Sequence, residues 1–485
     1  MLLSVCLVSA CSPYSPRLDR SALEKVPSDY RAEKFVAADA PREQIHQRWW
    51  EAFGDARLNS LVEEALQSNR SLQAAWSRLA QVREAAVIAG STQYPQIDAG
   101  GGATRNKIDD DALRLQDGTT IPSKQYYNRF VVQSGLSFEA DIWKRIASQK
   151  TAAEFEAEAV QADVEQTALL LSGTVVELWF RAKELQSLLD VLNDQIQVGS
   201  TLLELTELRF AVGKGTALAV LQQRQQLAAT KSELPRVQRN LEEVRSQLAV
   251  LIGKPPSAAV ELEVIEGTLP DLPPLPEFVS PLDLLEARPD LRAAQSRMSG
   301  AEYSIASALA DRFPRLTLGL SYEFSAAEFS DAFTREAGSI AANLLVPLVD
   351  GGRRRAEVRR QTARAEELWH SFADTYLNAL GDVEASIARE YWQGKLLERL
   401  SSQFKLSQAT LRESKSRYIN GLTDYVDVIV AVQASQEVER RVLTETRELL
   451  VTRARLYRAL GGRWHKNTVT PDGFNPRENN QSKVS

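Results

Sequence analysis

The sequence is poor in the residues that chemistry at a catalytic or metal centre needs. Its 485 residues hold two cysteines, Cys6 and Cys11, and three histidines, His46, His370 and His465. Both cysteines fall in the first eleven residues, so the rest of the chain has no material for a disulfide framework or a cysteine–histidine metal set. The histidines are scattered, and no histidine-based relay is suggested by their spacing. A reaction needs convergent titratable groups, and no motif supplies them, so neither an enzyme nor a bound cofactor is expected. Strong charge of one sign is also missing: 58 Lys and Arg stand against 64 Asp and Glu, a net charge of -6. Basic runs such as Arg353-Arg354-Arg355 are short, which excludes a nucleic-acid reader. Proline is absent from two long stretches, 142–212 and 352–420. Each can therefore run as one unbroken helix.

The apolar segment Met1 to Ala10 ends in Ser9-Ala10 just before Cys11. It is far too short for a membrane helix, which needs ~20 residues, and reads as a signal peptide, residues 1–10. Leu7-Val8-Ser9-Ala10-Cys11 resembles the bacterial lipobox, in which the cysteine is lipidated and becomes the mature N-terminus. No Lys or Arg precedes the run, which points to a start further upstream. Ser12 after the cysteine favours sorting to the outer membrane in that class of signal. Two or three acyl chains on Cys11 would anchor the protein stably, since one alone is marginal. The other reading of Cys11 is a chance buried cysteine.

The chain is written twice. Leu72-Gln73-Ala74-Ala75 returns as Leu291-Arg292-Ala293-Ala294, and Pro95 as Pro314, both 219 positions on (291 − 72, 314 − 95). Asp141-Ile142-Trp143-Lys144-Arg145 aligns with Asp350-Gly351-Gly352-Arg353-Arg354 at 209. Arg209-Phe210-Ala211-Val212-Gly213 aligns with Arg417-Tyr418-Ile419-Asn420-Gly421 at 208, as does Leu251-Ile252-Gly253 with Ala459-Leu460-Gly461. The order is kept, and the second copy has a loop about ten residues shorter. The organisation expected is an N-terminal segment 11–68, a first repeat 69–253, a proline-rich linker 254–289, a second repeat 290–462 and a disordered tail 463–485.

Each repeat opens with a helix that stops at a proline. Two alternating segments follow, 96–104 and 128–138 in the first copy, 315–324 and 339–348 in the second. A period of two suits strands with one apolar and one wet face, as in a membrane barrel. Four strands cannot close a barrel or cover their own edges. Three chains supplying four strands each would close a twelve-stranded one, so a homotrimer is a requirement of this reading. The long helices 142–212 and 352–420 would each span roughly 105 Å. Leu185, Leu188, Leu189, Leu192, Ile196 and Leu203 give the first a coiled-coil seam. Return helices 216–251 and 423–460 complete the units. The fold class expected is mainly α: a helical barrel continued by a small membrane β-barrel. A free-standing coiled-coil envelope rod remains the other possibility for such helices.

These features together resemble the TolC-like outer-membrane efflux family in its lipoprotein branch. Trp49-Trp50-Glu51-Ala52-Phe53-Gly54-Asp55 with Leu58 and Leu61 is similar to the N-terminal signature of that branch. Phe138-Glu139-Ala140-Asp141-Ile142-Trp143-Lys144-Arg145 and Val346-Pro347-Leu348-Val349-Asp350-Gly351-Gly352-Arg353-Arg354 are similar to its two strand-to-helix junctions. The resemblance covers Trp49 to Gly462. It implies a trimeric outer-membrane duct that conducts small molecules passively, energised by an inner-membrane transporter and joined to it by a periplasmic adaptor. It implies an adaptor-docking tip at Val212, Gly213, Lys214, Gly215 and Thr216 and at Asn420, Gly421, Leu422 and Thr423. It implies further a periplasmic gate at Arg417, Asp424, Tyr425 and Asp427, with Val430 where some relatives carry another aspartate. A duct for protein secretion on the same fold is the functional alternative. The hairpin glycines and the two aspartates also have plainer readings, as a helix reversal and as acids favouring a helix N-terminus.

Overall fold

The computed structural model describes residues 29–36, 42–44, 48–109, 124–258, 268–331 and 335–462. The signal segment, Cys11 and the tail 463–485 lie outside them. The elements run in the order β1 (Arg42–Glu43), α1 (Ala56–Ser68), α2 (Arg70–Ser91), β2 (Gln96–Asp109), β3 (Lys124–Ala140), α3 (Arg145–Ala211) and α4 (Ala217–Leu251). The second half continues with β4 (Leu275–Pro276), α5 (Leu284–Ala287), α6 (Pro289–Ala310), β5 (Arg315–Ala326), β6 (Glu336–Leu345), α7 (Arg353–Ile419) and α8 (Tyr425–Ala459). Both long helices have 67 residues, and both return helices have 35. No described helix is long and apolar enough to cross a membrane.

Two compact units are formed. The first takes the described residues of Ala80–Ala159 and Gln295–Ser371. Its centre is an antiparallel sheet in the order β2-β3-β5-β6, so the two halves of the chain meet where β3 pairs with β5. Phe138 lies opposite Leu318, and Leu136 lies opposite Leu320 and Ile97. Among the described residues β2 and β6 each pair with one neighbour, leaving two edges of unpaired backbone groups. All ten residues of β6 are exposed, with Ile340 at 88%.

The strands differ from the extents that alternation suggests. β2 and β3 run on to the pair Asp109 and Lys124, because the backbone ladder continues through polar residues that carry no alternation signal. β6 stops at Leu345, two residues before Pro347, which has no amide hydrogen to give a ladder.

Each long helix starts from an aspartate. Asp141 accepts from the backbone N–H of Ile146 at 3.1 Å and Ala147 at 2.7 Å. Trp143 donates its Nε1 hydrogen to Pro314 O at 2.8 Å and stacks on Phe313. Asp350 accepts from the N–H of Gly352 at 3.0 Å and Arg354 at 3.2 Å. The structure corrects the alignment here. The helices start 208 positions apart (353 − 145), as do the return helices (425 − 217). The aspartates are 209 apart because one more residue separates Asp141 from its helix. The residue just before each helix is left-handed: Lys144 at φ 57°, unusual for a side-chain-bearing residue, and Gly352 at φ 87°.

The second unit takes the described residues of Arg20–Leu79, Val160–Ala294 and Phe372–Ser485. The Trp49-to-Asp55 signature anchors it. Trp49–Phe53 forms a turn whose Trp49, Trp50 and Phe53 are buried. Trp49 stacks on Tyr457, and Phe53 meets Phe180 edge-on at 5.0 Å. Gly54 turns the chain at φ 65°, and Asp55 caps α1 by accepting from the N–H of Arg57 and Leu58, both at 3.0 Å. The same carboxylate accepts from Trp179 Nε1 at 2.8 Å and pairs with Lys183 Nζ at 3.0 Å. Burial pushes the Asp55 carboxyl up, but the hydrogen bonds from Trp179, Leu58 and Lys183 outweigh it and hold it below the usual range.

The repeated glycines after the return helices have a steric cause. Gly253 sits at φ 78° with its α-carbon face against Ser68 O, and Gly461 at φ 87° against Ala287 O; a Cβ at either would lie 2.4 Å from that oxygen. The buried Glu184 carboxylate accepts from Arg447, Arg181 and Thr444. Arg453 clasps Glu390 and the carbonyls of Pro273 and Pro274, tying the linker to α8. The seam of α3 follows Leu185, Leu192 and Leu202, all buried. Leu203, expected on that seam, is only half-buried.

Candidate functional site

Both helical hairpins turn on glycine. α3 ends in a Schellman motif: Gly213 N–H donates to Phe210 O at 3.0 Å, and Lys214 N–H to Arg209 O at 2.7 Å. α7 ends in the same way, with Gly421 N–H to Tyr418 O at 3.0 Å and Leu422 N–H to Arg417 O at 2.9 Å. Gly213 and Gly421 have φ of 72° and 73°, the left-handed region that this cap requires. Thr216 caps α4, its hydroxyl oxygen accepting from Ala219 N–H at 3.2 Å. Asp424 occupies the N-cap of α8 without a side-chain cap bond.

The two hairpins are joined by a buried cluster of Leu202, Ala219, Tyr418, Tyr425, Val428, Ile429 and Val432. Inside it Tyr418 and Tyr425 meet edge-on at 5.2 Å. The Tyr425 hydroxyl donates to Gln223 Oε1, and Gln223 Nε2 donates to Gly199 O at 2.7 Å. Burial, with Tyr418 adding to it, pushes the Tyr425 phenol well above its ordinary value, so it stays a neutral donor. The Arg209 guanidinium lies 4.6 Å over the Tyr418 ring and donates to Ile419 O at 3.0 Å.

The expected gate residues therefore separate into two groups. Tyr425 is buried and bonded within its own chain, whereas Arg417, Asp424 and Asp427 are exposed. Asp427 accepts from the Thr423 hydroxyl. No ion pair within 4 Å joins Arg417 to either aspartate within the chain. Close to the turns it is Arg209 that bridges the hairpins, through Ile419 O and the Tyr418 ring. Of the expected docking residues, Val212, Gly213, Thr216, Gly421 and Leu422 are exposed and Thr423 is half-covered. Leu208, Phe210, Leu218 and Ile419 add apolar surface around them, each at least half exposed. Gln223 and Arg209 were not legible as site residues, because their partners lie about 200 positions away in sequence.

The model of the outer membrane efflux protein family matches residues 61–254 and 281–462. The chain belongs to the outer membrane efflux protein family. The two matched stretches contain the two hairpins, the four sheet strands and both strand-to-helix junctions. Pyoverdine export outer membrane protein OpmQ of Pseudomonas aeruginosa is 32% identical over 96% of this chain and 96% of its own. Probable outer membrane lipoprotein SilC of Salmonella typhimurium is 23% identical over 95% of this chain and 97% of its own. The solved outer-membrane channel OprN superposes with a TM-score of 0.82 at 25% identity, covering 93% of this chain and all of that one. As a member of this family of outer-membrane channels, the protein is an efflux duct, and its four-stranded sheet and long hairpins are the family's fold.

Proposed function

We propose that three copies of this chain assemble into the exit duct of a tripartite efflux pump. Each copy contributes one tandem pair of repeats and four strands to a closed twelve-stranded barrel, and the long helices continue it as a periplasmic tunnel. The observation that carries the reading is the sheet with two open edges and exposed apolar residues, such as Ile97 and Ile340. A lone chain would leave these groups against water or lipid at high cost. Closure among three copies pairs every edge and turns the apolar residues to lipid.

Small molecules pass through this duct passively, delivered by an inner-membrane transporter through a periplasmic adaptor. The export role named for OpmQ supports a small-molecule cargo. The hairpin tips form the adaptor-docking surface, with Val212, Gly213, Thr216, Gly421, Leu422 and Thr423 at its centre. The tip is held shut in two ways: by the Tyr425–Gln223 bond and the Arg209–Tyr418 stack within each chain, and by Arg417, Asp424 and Asp427 between chains. Cys11 carries the lipid that anchors the N-terminus in the outer membrane, a reading supported by the lipoprotein name of SilC.

Planar-bilayer recording on the purified, lipid-reconstituted protein tests the duct. Discrete conductance steps are expected, small in the wild type because the tip is closed. A correctly folded preparation that leaves the bilayer silent, even with the tip bonds removed by mutation, would contradict the proposal.

A further inference from the structure

The two faces of the β2–β3 ribbon treat positive charge differently. Residues directly opposite each other across a strand pair share a face, so the register sorts the side chains. One face carries Leu136, Val132 and Phe130 of β3, with Ile97 opposite Leu136 and Ala103 opposite Phe130. This is the side that the duct reading turns to lipid. Beyond Phe130 and Ala103 the same face changes character in one step. The next pair on it is Arg105 with Asn128, and the one after is Lys107 with Tyr126. The Arg105 guanidinium lies 5.2 Å over the Tyr126 ring, which puts both on that face. All four side chains are exposed.

The place of this change along the strand fits a membrane boundary. From Ala140 to Phe130 β3 advances ten residues (140 − 130), roughly 34 Å of strand. At a tilt of ~40° that is roughly 26 Å of height, against an apolar band of ~25 Å in membrane barrels. Arg105 therefore stands at the edge of the band, at the end of the sheet away from the entry into α3. With the helices in the periplasm, that end meets the outer leaflet. On the opposite face Arg129 is matched by Glu323 at 2.6 Å. Arg105 has no ion pair among the described residues, only the tyrosine ring. The carboxylate of Glu336, on the lipid side, belongs to β6 at the far edge of the sheet and accepts from the Tyr322 hydroxyl.

An arginine fork takes a phosphate through two charge-assisted bonds, and an aromatic ring beneath it suits the level of lipid headgroups. The outer leaflet of an outer membrane is a phosphorylated glycolipid, with its phosphates at the boundary of the acyl chains. We propose that Arg105, backed by Tyr126 and with Lys107 one pair further out, binds a phosphate of this glycolipid on the outside of the barrel. The inference rests on the duct reading and adds a lipid site to it.

The test is native mass spectrometry of the full-length, detergent-extracted protein titrated with diphosphoryl lipid A or with lipid A stripped of its phosphates. The wild-type assembly should bind the phosphorylated form about tenfold more tightly. Arg105→Gln should lose that preference, and Arg129→Gln, on the opposite face, should keep it. Equal affinity of the wild type for both lipids would overturn the proposal, and this comparison needs no variant to fold. An unchanged preference in Arg105→Gln, or its loss in Arg129→Gln alike, would also overturn it. So would full displacement of the lipid by equimolar inorganic phosphate, which marks a site for the free anion. If Arg105→Gln assemblies come apart while the survivors keep their preference, the arginine serves the seam between copies and the lipid site is wrong. Conductance of the purified wild type reports on the duct separately: a conducting protein with no lipid preference loses the lipid site alone.

Discussion

Changing Tyr425 to Phe removes one hydroxyl from the buried junction of the two hairpins. Tyr425 is 5% exposed and Gln223 1% exposed, so water cannot replace the lost donor at Gln223 Oε1. Leaving such an acceptor unmatched costs about 1–3 kcal/mol. Three copies opening together would carry about 3–9 kcal/mol, treating the three equivalent sites as additive. Even the lower figure shifts the closed-to-open ratio roughly a hundredfold. Tyr425→Phe trimers should therefore open far more often in planar bilayers, and cells carrying them should leak antibiotics inward. Tyr376→Phe is the matched control. It removes a comparable buried bond, from the Tyr376 hydroxyl to Pro281 O at 2.8 Å, but about 65 Å along α7 from the tip. It should lower the melting temperature and leave conductance alone. If Tyr425→Phe trimers conduct like wild type, or if Tyr376→Phe opens the channel equally, the latch argument is wrong.

Other consequences are as direct. Asp55→Ala strips four donors of their acceptor and strands the buried Lys183 ammonium, costing about 3–5 kcal/mol, whereas Asp55→Ala combined with Lys183→Met should recover part of it in thermal melts. Because the Asp55 carboxyl is held below its unfolded value, its contribution is fully present above pH ~4 and fades as acid protonates the folded form. Acid titration of wild type should show this loss, and Asp55→Asn should flatten it. Gly253→Ala and Gly461→Ala force a Cβ to 2.4 Å from a backbone oxygen and should impair folding. Gly213→Ala has open space and should cost only its left-handed backbone strain, about 1–2 kcal/mol. Asp424→Ala with Asp427→Ala should raise conductance in correctly assembled trimers, and an unchanged current would count against their share in closing the tip.

The backbone plan was legible because few local signals decide it. Unbroken proline-free stretches gave the long helices, and paired glycines gave their turns. The ordered matches between halves anticipated two hairpins of equal length. Strand ends were harder to place, since pairing between Arg105 and Asn128 or between Asp109 and Lys124 leaves no apolar alternation to read. The one-residue shift after Asp141 was hidden because both junctions keep the aspartate and both enter the helix from a left-handed residue, Lys144 or Gly352. Charged side chains such as Glu184, Lys183 and Arg453 look in sequence like a solvated helix face, yet they are buried. Partners such as Arg447, Asp55 and Glu390 come from elements tens to hundreds of residues away. The same distance hid the contacts at the tip. Tyr425 stood out by its place after the turn, but Gln223, 202 positions earlier, carries no local mark of its role.

The central claim is that one chain cannot close its own sheet. Light scattering on the detergent-extracted protein, with the detergent contribution subtracted, measures this most directly. The predicted result is the molar mass of three mature chains, each beginning at Cys11. A folded, stable monomer would leave β2 and β6 with open edges and contradict it.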